Sequence, residues 1–256
     1  MRRAFTVIEL LLVIAIITVL AGIIYSAYAG AMATSHASNA SSNMMQLGRA
    51  LLIYSNDHDD RALPSTNYGL PESAPERLWS TLLKPYAKDE GVFIAPGSNG
   101  QFAATWAARG DQSIGMNLAT ALAPNGCESS ADSESPCLAF TEALDWSGVD
   151  ERAKVGLLAV TANGSADNRY RGYEFSPYTG IPEAGDPKTN PPLVADRDLV
   201  AELPALPAEL LRPIFARYGA DRKGNGRTPV LFADGHADSM SANEIANGRS
   251  VVWRVR

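Results

Sequence analysis

The front of this chain is almost without charge. After Arg2 and Arg3 no lysine or arginine occurs until Arg49, and Glu9 is the only acid before Asp57. Over the whole chain the formal net charge is −6, which argues against nucleic acid as a main partner, since such proteins present a basic face. Histidine is scarce as well, with only His36, His58 and His236. No G-x-S-x-G, no H-E-x-x-H and no glycine loop for cradling phosphate occurs, so nothing in the sequence asks for catalysis, a cofactor or a metal. The chain is read as a non-enzyme.

What is there begins with MRRAFTVIELLLVIAIITVLAGII. Residues 10–24 hold a single polar side chain, Thr18. With the apolar residues on either side, the run reaches the ~20 residues that cross a bilayer. Cations before the run and none after it keep the N-terminus in the cytoplasm and export the rest. The expected location is therefore a bacterial inner membrane, spanned once, with the bulk of the chain in the periplasm. The two cysteines suit that compartment. Cys127 and Cys137 bracket the polar loop GCESSADSESPC and are expected to form a disulfide.

Glu9 is out of place at the edge of a hydrocarbon core, where a carboxylate without a partner costs several kcal/mol. A secretory signal cut after Ala27-Tyr28-Ala29 has no use for it, and neither has a plain anchor. A cut after Ala4 does. It frees an amine at Phe5 that can neutralise the Glu9 carboxylate of a neighbouring copy.

The residues AFTVIELLLVIAIITVLAGI resemble the N-terminal signature of type IV prepilins and type II secretion pseudopilins. That signature has a short basic leader, a small residue at the cut, then Phe, and Glu fifth after the cut. The resemblance implies cleavage after Ala4 by prepilin peptidase, methylation of Phe5, and assembly with other pilin or pseudopilin subunits through the helix, with Glu9 as the docking charge. Ala4 stands where the family normally has Gly. A second resemblance runs through NMMQLGRALLIYSNDHDDRALP, WSTLLKPY, VFIAPGS, SIGMN, LVADRD and GRTPVLFADGHAD, in the order of a prepilin-like family ending in His, nine residues, then Asp-Gly. Asp234-Gly235 is present, but Gly224 stands at the histidine position and Ala95-Pro96 replaces the usual Cys-Pro.

The expected architecture is α+β. A leader (1–4) precedes a long helix (5–57), membrane-spanning in its first half, and an exported head (58–256) with an antiparallel sheet and long loops. The helix carries one stripe, Gly30, Ala33, Ala37, Ala40, Met44, Leu47, Leu51 and Tyr54, at steps of three and four. Asp57, His58, Asp59 and Asp60 crowd at its exit. The reading there is a solvated helix end rather than a calcium loop, because alternating Asx residues with glycine are missing. In the head, 76–87 reads as a short helix, VFIAPGSNG and SIGMN as strands, and VGLLAVTANGSADNRYRGYEF as a hairpin about Asn163-Gly164, with RYRGYEF a solvated face over packed rings. Residues 176–213 read as a proline-rich surface segment. TPVLFADGHADSM reads as a hairpin with a type I′ turn at Asp234-Gly235, SANE as a capping box, and SVVWRV as a last strand. His236, between Asp234 and Asp238, is read as a hairpin flank and not as a catalytic or metal pair. Two functions follow: a structural subunit of a type IV pilus or type II secretion pseudopilus, or a membrane-tethered periplasmic binding or hydrolytic domain that does not assemble.

Overall fold

The computed structural model describes residues 6–122, 143–161, 172–177, 192, 194–195, 213–219, 226–247 and 251–254. It is α+β, a long helix leading a mixed sheet.

Helix α1 runs Val7–Asp57, 51 residues, roughly 75 Å at 1.5 Å per residue. No proline precedes Pro64, and the apolar, alanine-rich composition sustains it. Its end is built from aspartates. Asp59 and Asp60 take left-handed φ of 54° and 58°, and the Asp60 N–H returns to the Ser55 carbonyl at 2.9 Å. That is the long bond of a Schellman-type stop, usually completed by glycine.

The five-stranded sheet has the order β3-β1-β2-β6-β7, with β1 Ile114–Asn117, β2 Gly156–Val160, β3 Glu174–Phe175, β6 Arg227–Phe232 and β7 Ala237–Ser241. Its pairs are antiparallel except β1 with β3, which run parallel. Two short strands, β4 Val194–Ala195 and β5 Ile214–Phe215, form a separate parallel pair. Successive residues of the central strands feed opposite cores. Leu158, Val160 and Leu231 face the α1 side with Met44, Leu47, Leu51 and Tyr54. Ala159, Val230 and Phe232 face Ile214, Ile245 and Trp253 on the other side. The helical stripe is therefore buried from Ala40 onward, while Gly30 and Ala33 lie exposed.

Several expectations give way to longer-range contacts. The two segments flanking Asn163-Gly164 do not pair, because β1 lies between β2 and β3; the dipeptide itself is outside the described residues. Tyr173, Glu174 and Phe175 are all buried rather than solvated. Residues Glu90–Phe93 form a 3-10 turn instead of a strand, and the last segment contributes one bridge, Val252 to Val155. Val194 and Ile214 are buried against the sheet, although the segment 176–213 read as surface. The short helix is present as α2, Trp79–Leu83, continued by a 3-10 turn to Tyr86. The capping box opens α3, Ala242–Asn247, where the Ser241 N–H donates to Glu244 and the Glu244 N–H to Ser241 Oγ at 3.1 Å.

Among the described residues, β7 is an outer strand. Opposite it Pro229 has no N–H to give. The Ser239 N–H is bound by the Asp238 carboxylate at 2.7 Å, and the Ser239 carbonyl by the Arg227 guanidinium.

Candidate functional site

Ala4 and Phe5 lie outside the described residues, as do Cys127 and Cys137. The description starts with Thr6, the N-cap of α1. Glu9 Oε2 accepts from the Thr6 N–H at 2.9 Å and from Thr6 Oγ1 at 2.8 Å, while the Glu9 N–H donates to Thr6 Oγ1 at 3.3 Å. This reciprocal box satisfies donors that a helix start leaves open. The sequence reading treated Glu9 as a carboxylate awaiting a second copy and overlooked Thr6, although T-x-x-E before an apolar run is the visible signal of such a box. The box supplies hydrogen bonds and no counter-charge, so Glu9 still lacks a cation within its own chain.

Beyond the cap the helix is bare. Every large apolar side chain from Val7 to Ile24 outside the masked positions is exposed. The span is long and apolar enough to cross a membrane, and a lipid or protein surface must cover it, because monomers in water rarely expose patches of this extent.

The other half of α1 carries the head, and one contact fixes how. The turn between β6 and β7 presses on the helix at Gly48. A Cβ placed on Gly48 would lie 2.5 Å from the Gly235 carbonyl oxygen and 2.8 Å from Leu231 Cδ1. The Asp234-Gly235 turn is not type I′. Only Gly235 has positive φ, 88°, and the Gly235 N–H bonds the Phe232 carbonyl at 3.0 Å while the Phe232 N–H bonds the His236 carbonyl at 2.9 Å. This is the three-residue hairpin loop, a type I turn followed by a left-handed glycine. Gly48 is a second residue the sequence reading missed; within the helical stripe it looked only like a weak helix former.

His236 donates its N–H to Asp234 Oδ1 at 3.1 Å, its ring nitrogen meets the same oxygen, and the ring lies flat on Phe232 at 4.4 Å. The pair thus shapes the turn. His36 packs against Gly97. At the helix exit the four ligand-type residues diverge. Asp57 accepts from Tyr86, His58 stacks on Tyr54 at 4.0 Å, Asp59 is exposed, and Asp60 holds Arg152 in a two-pronged pair at 3.1 and 2.6 Å. Among the described residues no group of three or more His, Cys, Asp or Glu could hold a metal. Arg152 Nε also reaches the Trp146 carbonyl at 3.1 Å, and these groups wall a cleft of about 280 Å³ with Leu52, Asn56 and Ala233.

Residues 1–25 match the family described as the prokaryotic N-terminal methylation motif. No curated protein and no solved structure matches the chain. The motif marks a type IV pilin-like precursor with a prepilin-like signal, and with the single long apolar helix it fits a single-pass membrane anchor.

Proposed function

We propose that this chain is a structural prepilin-like subunit: cut after Ala4 by prepilin peptidase, methylated at Phe5, and assembled through α1 into a type IV pilus or type II secretion pseudopilus. On this reading residues 1–4 are a leader, 5–57 the assembly helix and 58–256 a periplasmic head in which Cys127 and Cys137 are joined. The observation that carries the proposal is the methylation motif set on a helix whose first half is wholly uncovered while its second half is the spine of a folded head. A membrane alone can cover the bare half. A charge at its start, capped but unneutralised, needs more than lipid, and the Phe5 amine of a neighbouring copy is a cation of suitable size and position. The reading of the chain as a tethered domain gives that charge no intermolecular role.

Two variants of the full chain separate these readings. Glu9→Ala removes both the cap and the carboxylate; Thr6→Ala removes the cap's hydroxyl and keeps the charge. Assembly through the amine requires that both are cleaved and membrane-bound, that Thr6→Ala still gives cross-linked oligomers, and that Glu9→Ala loses them. Wild-type oligomer yield from Glu9→Ala would favour the tethered domain.

A further inference from the structure

The head-bearing half of α1 has an outer face, and it is not the polar face expected of a helix lying on a soluble head. Met45, Leu52 and Ile53 are 47%, 44% and 51% exposed, and they surround Arg49 at spacings of three and four residues, where helical side chains are neighbours. Arg49 is the only cation in a helix of 51 residues. No acid lies within one turn of it, and among the described residues it makes no ion pair. An arginine ringed by exposed apolar side chains has the composition of an interface anchor.

The complementary feature lies farther along the same helix. Its last turn has no basic residue, yet Asp57 and Asp59 stand where the helix dipole is negative and carboxylates are disfavoured. Asp60 is paired with Arg152, whereas Asp59 is exposed and, among the described residues, in no ion pair. Copies anchored in one membrane point the same way, so their helices run parallel. An axial shift of ten residues, about 15 Å, brings Arg49 of one copy level with Asp59 of the next.

From this we infer that the outer face of α1 around Arg49 is a contact surface for a second copy of this chain, with Met45, Leu52 and Ile53 against the neighbouring helix exit and Arg49 paired with its Asp59. The inference rests on the assembly reading and adds a head-level contact to it. The shift differs from the four residues that separate Phe5 from Glu9, as a helical array allows, since each subunit there has neighbours at more than one height.

The test uses two differently tagged full-length chains expressed together, one carrying Arg49→Cys and the other Asp59→Cys, with Leu12→Cys in both chains of a parallel strain as reporter of assembly in the apolar half. Mild oxidation should give an Arg49→Cys/Asp59→Cys heterodimer at least about tenfold above that of a pair with Asp59→Cys replaced by Asp89→Cys. Adding Ile53→Ser should reduce that yield about tenfold while the head's melting temperature stays unchanged. Cross-linking through Leu12→Cys without the heterodimer would overturn the inference and leave the assembly reading standing. Absence of both would overturn both.

Discussion

Gly48→Ala asks whether the helix and the sheet are held at a distance that only glycine permits. Ordinary van der Waals contact for a Cβ begins near 3.4 Å, and the added carbon would stand 2.5 Å from the Gly235 carbonyl oxygen, so about 0.9 Å must be found. The nearest atom is backbone in a hydrogen-bonded turn, and the next belongs to Leu231, which is wholly buried. Overpacking of this kind costs about 1–3 kcal/mol, offset by about 1 kcal/mol because alanine is the better helix former. The net loss is on the order of 1–2 kcal/mol, which for a chain of this size lowers the melting temperature by roughly 2–8 °C. The assay is thermal unfolding of the full chain in detergent, followed by near-ultraviolet dichroism of the buried Trp79, Trp146 and Trp253, which report on the head alone. Gly22→Ala and Gly30→Ala are the controls, since nothing lies within 4 Å of either position, and neither should lower the head's transition. Gly235→Ala meets only the flexible end of Leu52 but forces a side chain to φ 88°, so it should also destabilise, and less than additively with Gly48→Ala because the two share one contact. A Gly48→Ala protein melting at or above wild type would refute the close-approach argument.

Burial holds the Tyr218 phenol up at about 12, against an ordinary value of 10. A raised folded value means full stability below the unfolded value and loss above it, so the head should lose about 2–3 kcal/mol between pH 10 and 12. Tyr218→Phe should flatten that alkaline loss in a pH series of melts, while giving up the 3.1 Å hydrogen bond to the Pro96 carbonyl; an unchanged profile would assign the loss to another group. Arg152→Ala should cost about 1 kcal/mol, and less at high salt, because the pair with Asp60 is half-exposed and screened; denaturant melts at two ionic strengths check it. Alkylation of the exported chain without reduction should modify neither Cys127 nor Cys137, and two modified thiols would remove the proposed disulfide.

The long helix was the most legible element, since a stripe at steps of three and four needs only local sequence, and from Ala40 onward that stripe is the buried face. Gly30 and Ala33 continue the pattern but are exposed, because periodicity reports a possible face and not what covers it. The hairpin expected at Asn163-Gly164 had good local chemistry, yet β1, more than forty residues earlier, takes the place beside β2. That choice depends on chain closure and packing, which no dipeptide encodes. At Asp234-Gly235 the signal for a turn was right and its type wrong: the same two residues serve a two-residue or a three-residue loop, and the register of β6 against β7 decides between them. Thr6 and Gly48 were readable in principle. The first sits in a motif that attention to Glu9's charge obscured; the second has meaning only through the turn that presses on it.

The outer strand β7 has a bearing on life in a crowd. Identical heads held at one membrane patch, or strung along one fibre, meet at local concentrations that dissolved protein never reaches, and an open strand under such conditions invites growth of a shared sheet. At Ser239 the peptide groups are already taken by Asp238 and Arg227, and Pro229 keeps the opposite position from donating. Neighbouring heads are thereby confined to side-chain contacts. Such contacts let go one at a time, so an array built from this subunit can be drawn back into the membrane and taken apart without first unzipping a backbone ladder.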